Sequence, residues 1–324
     1  MSMRHLFGFD HIPLGAVDLA SYYDTRLRNF VGEGSTQAAS ILAGGWITGG
    51  GGTPFQALIL PVVNDNPTHV VLGFRAKQAN GAAAGSNTPI ALYLGGAFTT
   101  FFTLAELVAS KLTSANGDYV TLDINLTTGV VRRWFGNVEL SPLTNIPLNT
   151  LKTAQYIFYI QAYQGSYSAY QYRDIYVGDN FDGTDVQALG DRVVRSLPVQ
   201  TAQGDNWSAT DGGSLVSAVN KSWVAGALDV TVTNTVNNDP LRVKFNGGTG
   251  TPDIDAIQVQ VAGSVSAPTT SLKVAREGDA TGRTTVLAAT VKWGARSPIY
   301  STKADGSKIS SVDLAAMNFD ISGA

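Results

Sequence analysis

The acidic run GDNFDGTD, residues 178–185, contains side chains that could bind a metal ion. Carboxylate and carboxamide oxygens suit Ca²⁺, and an EF-hand loop places them at its positions 1, 3 and 5, with Gly at position 6. Counted from Asp179, positions 3 and 5 are Phe181 and Gly183, so the pattern fails. Asp and Asn also favour turns, and Gly allows positive φ. We therefore predict a solvated turn that binds no metal ion. The alternative is a metal site, for which the candidate ligands are Asp179, Asp182 and Asp185.

The residue types needed for common catalytic sites do not form a recognisable pattern in this sequence. There is no Cys, so no thiolate can act as a nucleophile or metal ligand. The three His residues are His5, His11 and His69, and no G-x-S-x-G motif provides a serine nucleophile. No P-loop or dinucleotide-binding fingerprint follows a predicted strand. We predict a protein that is not an enzyme and that needs no cofactor.

Two tryptophans are candidates for recognition of a glycan or a protein partner. Trp134 lies in the strand-like run VVRRWF, and Trp207 lies in the loop-like run GDNWSATDGG. The flat apolar face of an indole matches the C–H face of a pyranose ring. The alternative is packing in a core or a subunit interface, which is the usual role of aromatic residues in strands.

Composition argues against several classes of partner. Only 15% of residues are charged and the net charge is −3, and the longest basic run is the Arg pair in VVRRW. This distribution predicts no nucleic-acid binding. The N-terminal segment lacks the apolar core of a signal peptide, and no run approaches the roughly 20 apolar residues that span a bilayer. We expect synthesis in a cytoplasm and no membrane association.

The elements that would position these residues are short β-strands. Residues 119–140 alternate apolar and polar side chains and contain two Gly turns, so they predict an antiparallel meander with one buried and one wet face. Residues 170–179 predict a further strand, and residues 102–112 have helical spacing. Strand signals resume after the acidic run. We predict an all-β chain with one domain over 1–182, a second over 186–324 and an acidic connection at 179–190.

Several stretches carry a likeness to a known family. FGFDHI (7–12) looks like the family's opening GFDH, and VVLGFRAK (70–77) looks like one of its strands. The passage YRDIYVGD…ALGDRVVRSLP…W…GG, residues 172–213, resembles the family pattern yDDlYv.Dg…GDvrV…P…W…gg. These stretches resemble tailed-phage and prophage virion structural proteins whose N-terminal part is a concanavalin-A-like, LamG-type jelly roll. One departure is the FGN turn at 135–137, where the family has NG.

The resemblance implies a fold and a function. It implies a jelly-roll sandwich followed by a second antiparallel, sandwich-like β domain. It also implies a non-enzymatic virion component, such as a head decoration, collar or tail-attached protein. We expect such a protein to form a homo-oligomer, a trimer first of all, and to dock on other virion proteins. The alternative hypothesis is a receptor or adhesin component of the virion that binds a host surface glycan.

Overall fold

A computed structural model of the chain describes most of the sequence. The described residues are 2–8, 15–17, 26–29, 39–49, 56–60, 67–78, 91–94, 97–103, 105–106, 112, 114–146, 156–160, 162–163, 167–168, 170–180, 187–220, 232–234, 239–247, 254–263, 271–286 and 292–323. Of the three acidic metal candidates, Asp182 and Asp185 lie outside these residues.

The chain divides into two compact units, Met1–Arg195 and Ser196–Ala324. The strands of the first unit are, in chain order, β1 (Ser2–Phe7), β2 (Gly15–Val17), β3 (Arg26–Asn29), β4 (Ala39–Leu42), β5 (Trp46–Gly49), β6 (Gln56–Leu60), β7 (His69–Gln78), β8 (Ala91–Leu94), β9 (Ala97–Thr100), β10 (Asp118–Asn125), β11 (Val130–Phe135), β12 (Val138–Leu143), β13 (Tyr156–Ile160), β14 (Ala162–Tyr163), β15 (Tyr167–Ser168) and β16 (Tyr170–Asp179).

The strands of the second unit are β17 (Val199–Gln203), β18 (Trp207–Ala209), β19 (Val232–Asn234), β20 (Leu241–Phe245), β21 (Gln260–Gly263), β22 (Ser271–Arg276), β23 (Arg283–Val286), β24 (Lys292–Arg296) and β25 (Phe319–Gly323). Two short helices, Leu215–Val219 and Ser311–Ala316, accompany them. The predicted all-β, sandwich-type class is confirmed, and the described strands pair in antiparallel sheets.

The first unit contains two sheets large enough to form layers. In the nine-stranded sheet the order is β12-β11-β10-β7-β16-β5-β4-β2, and β1 also pairs with β16. The five-stranded sheet has the order β3-β6-β13-β8-β9. The largest buried side chains of the described part of this unit are aromatic: Phe7, Phe74, Phe101, Phe102, Tyr119, Tyr172 and Tyr176. Most of these lie on or directly beside strands of the nine-stranded sheet.

The meander predicted for residues 119–140 is present as β10, β11 and β12. Strand β10 pairs with β11 so that Val120 faces Phe135 and Ile124 faces Val131. Gly129, at φ 70°, and Gly136, at φ 56°, occupy the two turns in the left-handed region that glycine favours. The two turns therefore end the strands where the sequence predicts.

The prediction that one face of β10 is wet is wrong. Thr121 is 1% exposed and Asp123 is 9% exposed, so both faces of this strand are buried. Residues 187–195, which we call the strap, lie beside these two side chains. The sequence also predicts a strand over DRVVRSL, but the structure has no strand there, and the boundary between the units follows Arg195.

The second unit has its own core beneath a five-stranded sheet of order β17-β20-β25-β22-β23. Apolar side chains form this core: Leu241, Val243, Val259, Val274, Tyr300, Ile309, Leu314, Phe319 and Ile321. The helix Ser311–Ala316 begins with a capping box in which Ser310 and Asp313 satisfy each other's backbone N–H groups. The sequence SSVDLAAMNFDIS predicts a short helical turn followed by a last strand, and both are present.

Tyr300 links this core to the surface turn that follows β22. Its hydroxyl accepts a hydrogen bond from the backbone N–H of Arg276 at 2.9 Å and donates one to Asp279 Oδ2 at 2.8 Å. Burial raises the pKa of Tyr300 to about 12. The phenol therefore stays neutral and serves as a structural bridge.

Candidate functional site

The described part of the acidic run is structural. Asp179 ends β16, is 5% exposed, and pairs in register with Ser2 and Val70. The next residue, Asn180, accepts hydrogen bonds from the backbone N–H groups of Thr68 and His69 at 3.0 and 3.1 Å. Over the residues that the structure describes, no group of three His, Asp or Glu side chains is arranged to hold a metal ion.

Several contacts fasten the strap to the nine-stranded sheet. The backbone N–H of Leu189 donates to the Tyr176 hydroxyl at 3.1 Å, and that of Val194 donates to Asp174 Oδ1 at 3.0 Å. Between them, the Asp191 carboxylate pairs with Arg75, with Oδ2 at 2.6 Å from Nη2. Backbone hydrogen bonds and an ion pair thus hold a segment that has no regular secondary structure of its own.

Asp174 can hold the strap because β16 is irregular at this point. The register of β16 against β7 shifts between Arg173 and Tyr176, and Asp174 has φ 54°. Asp tolerates the left-handed region better than most residues, and such bulges redirect side chains. The Asp174 carboxylate is 6% exposed, and its Oδ2 lies 3.2 Å from Arg173 Nε. The bulge therefore turns a carboxylate toward the strap and toward Arg173.

Two stacked tyrosines fill the space beneath the strap. The rings of Tyr119 and Tyr176 are 6.4 Å apart and nearly parallel. The Tyr119 hydroxyl donates to the backbone carbonyl of Asp174 at 3.3 Å, and burial raises the pKa of Tyr119 far above its ordinary value. Gly73 makes room for the stack, because a Cβ there would lie 2.1 Å from the Tyr176 ring.

Beside the strap lies an open groove of about 420 Å³. Its floor is two cross-strand pairs, Thr121 with Trp134 and Asp123 with Arg132. The turn residue Asn137 and the strap residues Gln187, Ala188 and Gly190 form its sides. The groove thus combines one indole with carboxylate, guanidinium and carboxamide groups.

The charges in the groove are paired. Arg132 donates to both oxygens of Glu139 at 2.8 and 3.0 Å, and its guanidinium lies 4.8 Å above the Trp134 ring. This hydrogen-bonded pair lowers the pKa of Glu139. Asp123 Oδ1 is paired with His69 Nε2. Thr121 differs, because its buried hydroxyl has no hydrogen-bond partner among the residues that the structure describes.

The opposite face of β11 carries a second polar cluster. Arg133 is buried, with 4% of its side chain exposed, and its Nη2 lies 3.0 Å from Glu106 Oε1 and 2.6 Å from the carbonyl of Ser141. Burial raises the pKa of Glu106, but hydrogen bonds from the backbone N–H of Thr103 and from Arg133 outweigh it, so the pKa lies below its ordinary value. Only Ala105 and Glu106 of the predicted helix are described as helical.

The structure places the two candidate tryptophans in different units. Trp134 lies in the groove and is partly buried. Trp207 packs against the core of the second unit, and its indole N–H donates to the carbonyl of Asp239 at 3.0 Å. Sequence reasoning missed Asp123 and Arg132, although the two-residue spacing of 121/123 and 132/134 around the Gly129 turn already places these four side chains on one face of the sheet.

Comparisons with known proteins give no family assignment. No protein-family model matches the sequence, and no curated protein matches it. Among solved structures, the binding domain of botulinum neurotoxin DC in complex with rat synaptotagmin II aligns at 10% identity, covering 83% of this chain and 80% of that chain, with a TM-score of 0.29. A botulinum neurotoxin type C structure, described in connection with two ganglioside molecules, aligns at 10% identity, covering 89% of this chain and 87% of that chain, with a TM-score of 0.29.

A third structure, described as a receptor-binding domain, aligns at 8% identity, covering 94% of this chain and 98% of that chain, with a TM-score of 0.31. Similarity at these scores carries no inference about activity or ligands. Among the helices of the described residues, none has the length and apolar character needed to cross a membrane.

Proposed function

We propose that the protein is a non-enzymatic structural component of a tailed-phage virion, which forms a homo-oligomer and docks on other virion proteins. The observation that carries the proposal is where the family resemblance falls in the fold. Three residues that fasten the strap also match capital letters of the family pattern quoted above: Asp174, Tyr176 and Asp191. Residues that match the family pattern and also make specific tertiary contacts support the proposal more strongly than a likeness in the composition of the strands.

The strand order of the first unit suggests a surface for docking. Strand β12 ends the order of the nine-stranded sheet, and Val138 on it is 65% exposed. Strands at a sheet edge pair with partner strands through their free backbone groups. We propose that β12 takes part in self-association or in attachment to the particle.

Quantitative mass spectrometry of purified phage particles from the encoding strain tests the virion role. We expect the chain at a fixed copy number per particle, and its absence from particles would refute the role. Light scattering of the purified protein tests the oligomer, and the expected mass is three times the chain mass of 34.1 kDa. Val138→Lys should weaken association, whereas Val312→Lys, at a 77% exposed helix position of the second unit, should not.

The groove favours a second candidate function, a virion component that binds a host surface glycan. The specific observation is that Trp134 lies among carboxylate and carboxamide side chains in an open groove. Binding of the purified protein to host surface polysaccharide, and loss of that binding in Trp134→Ala, tests this function. Binding that persists unchanged in Trp134→Ala would assign the attachment to another surface.

A further inference from the structure

We propose that the groove is a binding site for a neutral pyranose unit, with Trp134 as the stacking platform and the strap as a positioning wall. This inference rests on the glycan-binding candidate above and specifies its site and ligand class. The groove is about 420 Å³, within the range of about 300–1,000 Å³ that is usual for small-molecule sites. One or two sugar units are the largest ligand that such a volume suggests.

The stacking argument starts from Trp134. Its side chain is partly exposed at the groove, and its indole N–H donates no hydrogen bond to any described residue. An exposed indole offers an apolar face for the C–H groups of a pyranose and one donor for a hydroxyl oxygen. The guanidinium of Arg132, 4.8 Å from the ring centre, restrains the ring and lowers the entropic cost of ordering it.

Hydroxyl recognition needs groups that both donate and accept. Asn137, on the turn after β11, and Gln187, on the strap, are both exposed and each carries a carboxamide with two donors and an acceptor. Asp123 adds a carboxylate acceptor, of which Oδ1 is paired with His69. Vicinal hydroxyls of a sugar match such a set of donors and acceptors.

The charge balance favours a neutral ligand over an acidic one. Of the lining residues that the structure describes, Arg132 is the only cation, and Glu139 holds it through two hydrogen bonds. A carboxylate or sulfate on the sugar would compete with Glu139 for Arg132 and would be repelled by Asp123. An uncharged saccharide meets neither penalty.

The strap defines one wall of the groove through Gln187, Ala188 and Gly190. The position of the strap depends on the hydrogen bond from the Leu189 N–H to the Tyr176 hydroxyl and on the ion pair between Asp191 and Arg75. We therefore assign Asp191 as a positioning residue that does not itself touch the sugar. Loosening the wall should weaken binding while leaving Trp134 in place.

The experiment is a calorimetric titration of the full chain with four probes. Cellotriose, maltotriose and N,N′,N″-triacetylchitotriose are the neutral probes, and 3′-sialyllactose is the acidic one. We expect at least one neutral probe to bind, with affinity reduced roughly tenfold or more in Trp134→Ala and less in Trp134→Phe. Asn137→Ala and Asp191→Asn should reduce affinity by smaller factors. Trp207→Phe, a change in the second unit, is the matched control and should leave binding unchanged.

Three results would overturn the inference. They differ in which of the other proposals they would also refute. Neutral binding that is lost in Trp207→Phe but kept in Trp134→Ala would move the site and leave glycan recognition standing. Binding of the sialylated probe alone would refute the neutral class. No binding of any probe at millimolar concentration would remove this site, whereas the glycan-binding candidate would fall only if host surface polysaccharide also failed to bind, and the virion role would stand in both cases. Thermal melting of each variant confirms that a lost signal is not lost folding.

Discussion

The hydroxyl of Tyr176 lies 3.1 Å from the backbone nitrogen of Leu189 and accepts a hydrogen bond from it. This contact joins a buried residue of β16 to a strap residue 13 positions later in the sequence. Because the strap has no strand partners, side-chain acceptors such as this one satisfy its backbone donors. Removing this hydrogen bond is therefore a direct way to test how firmly the strap is held.

Tyr176→Phe should loosen the strap without unpacking the sheet. The ring and its contact with Gly73 remain, and the acceptor for the Leu189 N–H is lost. We expect the free energy of unfolding to fall by about 1 kcal/mol, and amide exchange at Leu189 to accelerate. Hydrogen-exchange mass spectrometry of residues 187–195 measures the effect. Val193→Ala, at a 54% exposed strap position, is the control and should change neither quantity.

Thr121→Val should stabilise the protein. The Thr121 hydroxyl is buried without a hydrogen-bond partner, and valine has nearly the same shape. Removing an unsatisfied buried hydroxyl recovers its desolvation cost, so we expect a gain of about 1 kcal/mol in urea denaturation. Ser297→Ala is the contrasting variant, because that hydroxyl accepts from Val259 N–H at 3.0 Å and its loss should destabilise. A loss of stability in Thr121→Val would mean that the hydroxyl has a partner in solution.

Glu106→Gln should make the protein less stable and less sensitive to acid. The pKa of Glu106 is below its ordinary value of 4.5, so the carboxylate contributes stability above about that pH, and this is lost as the pH falls through the folded-state pKa. The variant leaves the buried Arg133 without its counter-charge, and we expect a loss of about 1–3 kcal/mol at pH 7. The difference from wild type should shrink toward pH 3.

The control for that pair is Glu139→Gln on the exposed face of the same meander. Arg132 and Glu139 have half-exposed side chains that water screens, so their ion pair should contribute much less to stability than the buried pair of Arg133 and Glu106. Denaturation curves measured from pH 3 to pH 8 compare the two variants. Equal losses at neutral pH in both would contradict the assignment of Arg133 and Glu106 as the structural pair.

Tyr300→Phe should change the stability of the second unit at alkaline pH. Burial raises the pKa of Tyr300 from 10.0 to about 12, so its neutral form favours the folded state. The stability it contributes is complete below pH 10 and is lost as the pH rises toward 12, because the unfolded chain ionises first. We expect the variant to be about 1–3 kcal/mol less stable at pH 8, and its difference from wild type to narrow above pH 10. A constant difference across this range would contradict the shift.

Local pattern was enough to predict the β class, the meander and the tail. Alternation in residues 119–140, the turn glycines Gly129 and Gly136, and the final helix and strand all follow from period and backbone preference. These features depend on residues close together in the sequence. The placement of Trp134 on an accessible sheet face also follows from that alternation.

Tertiary structure alone decided what covers that face. Thr121 and Asp123 have the polar character of a wet face, but both are buried, and the strap is held beside them by contacts between residues far apart in sequence, such as Arg75 with Asp191. The same contacts convert the expected strand DRVVRSL into an irregular segment held by side chains. Sequence alone therefore determined the strands and which residues share a face. One wall of the groove is the strap, which is bonded to Asp174 at the bulge and to Tyr176, whose ring packs on Gly73, and pairings of that kind leave no periodic signal in a single sequence.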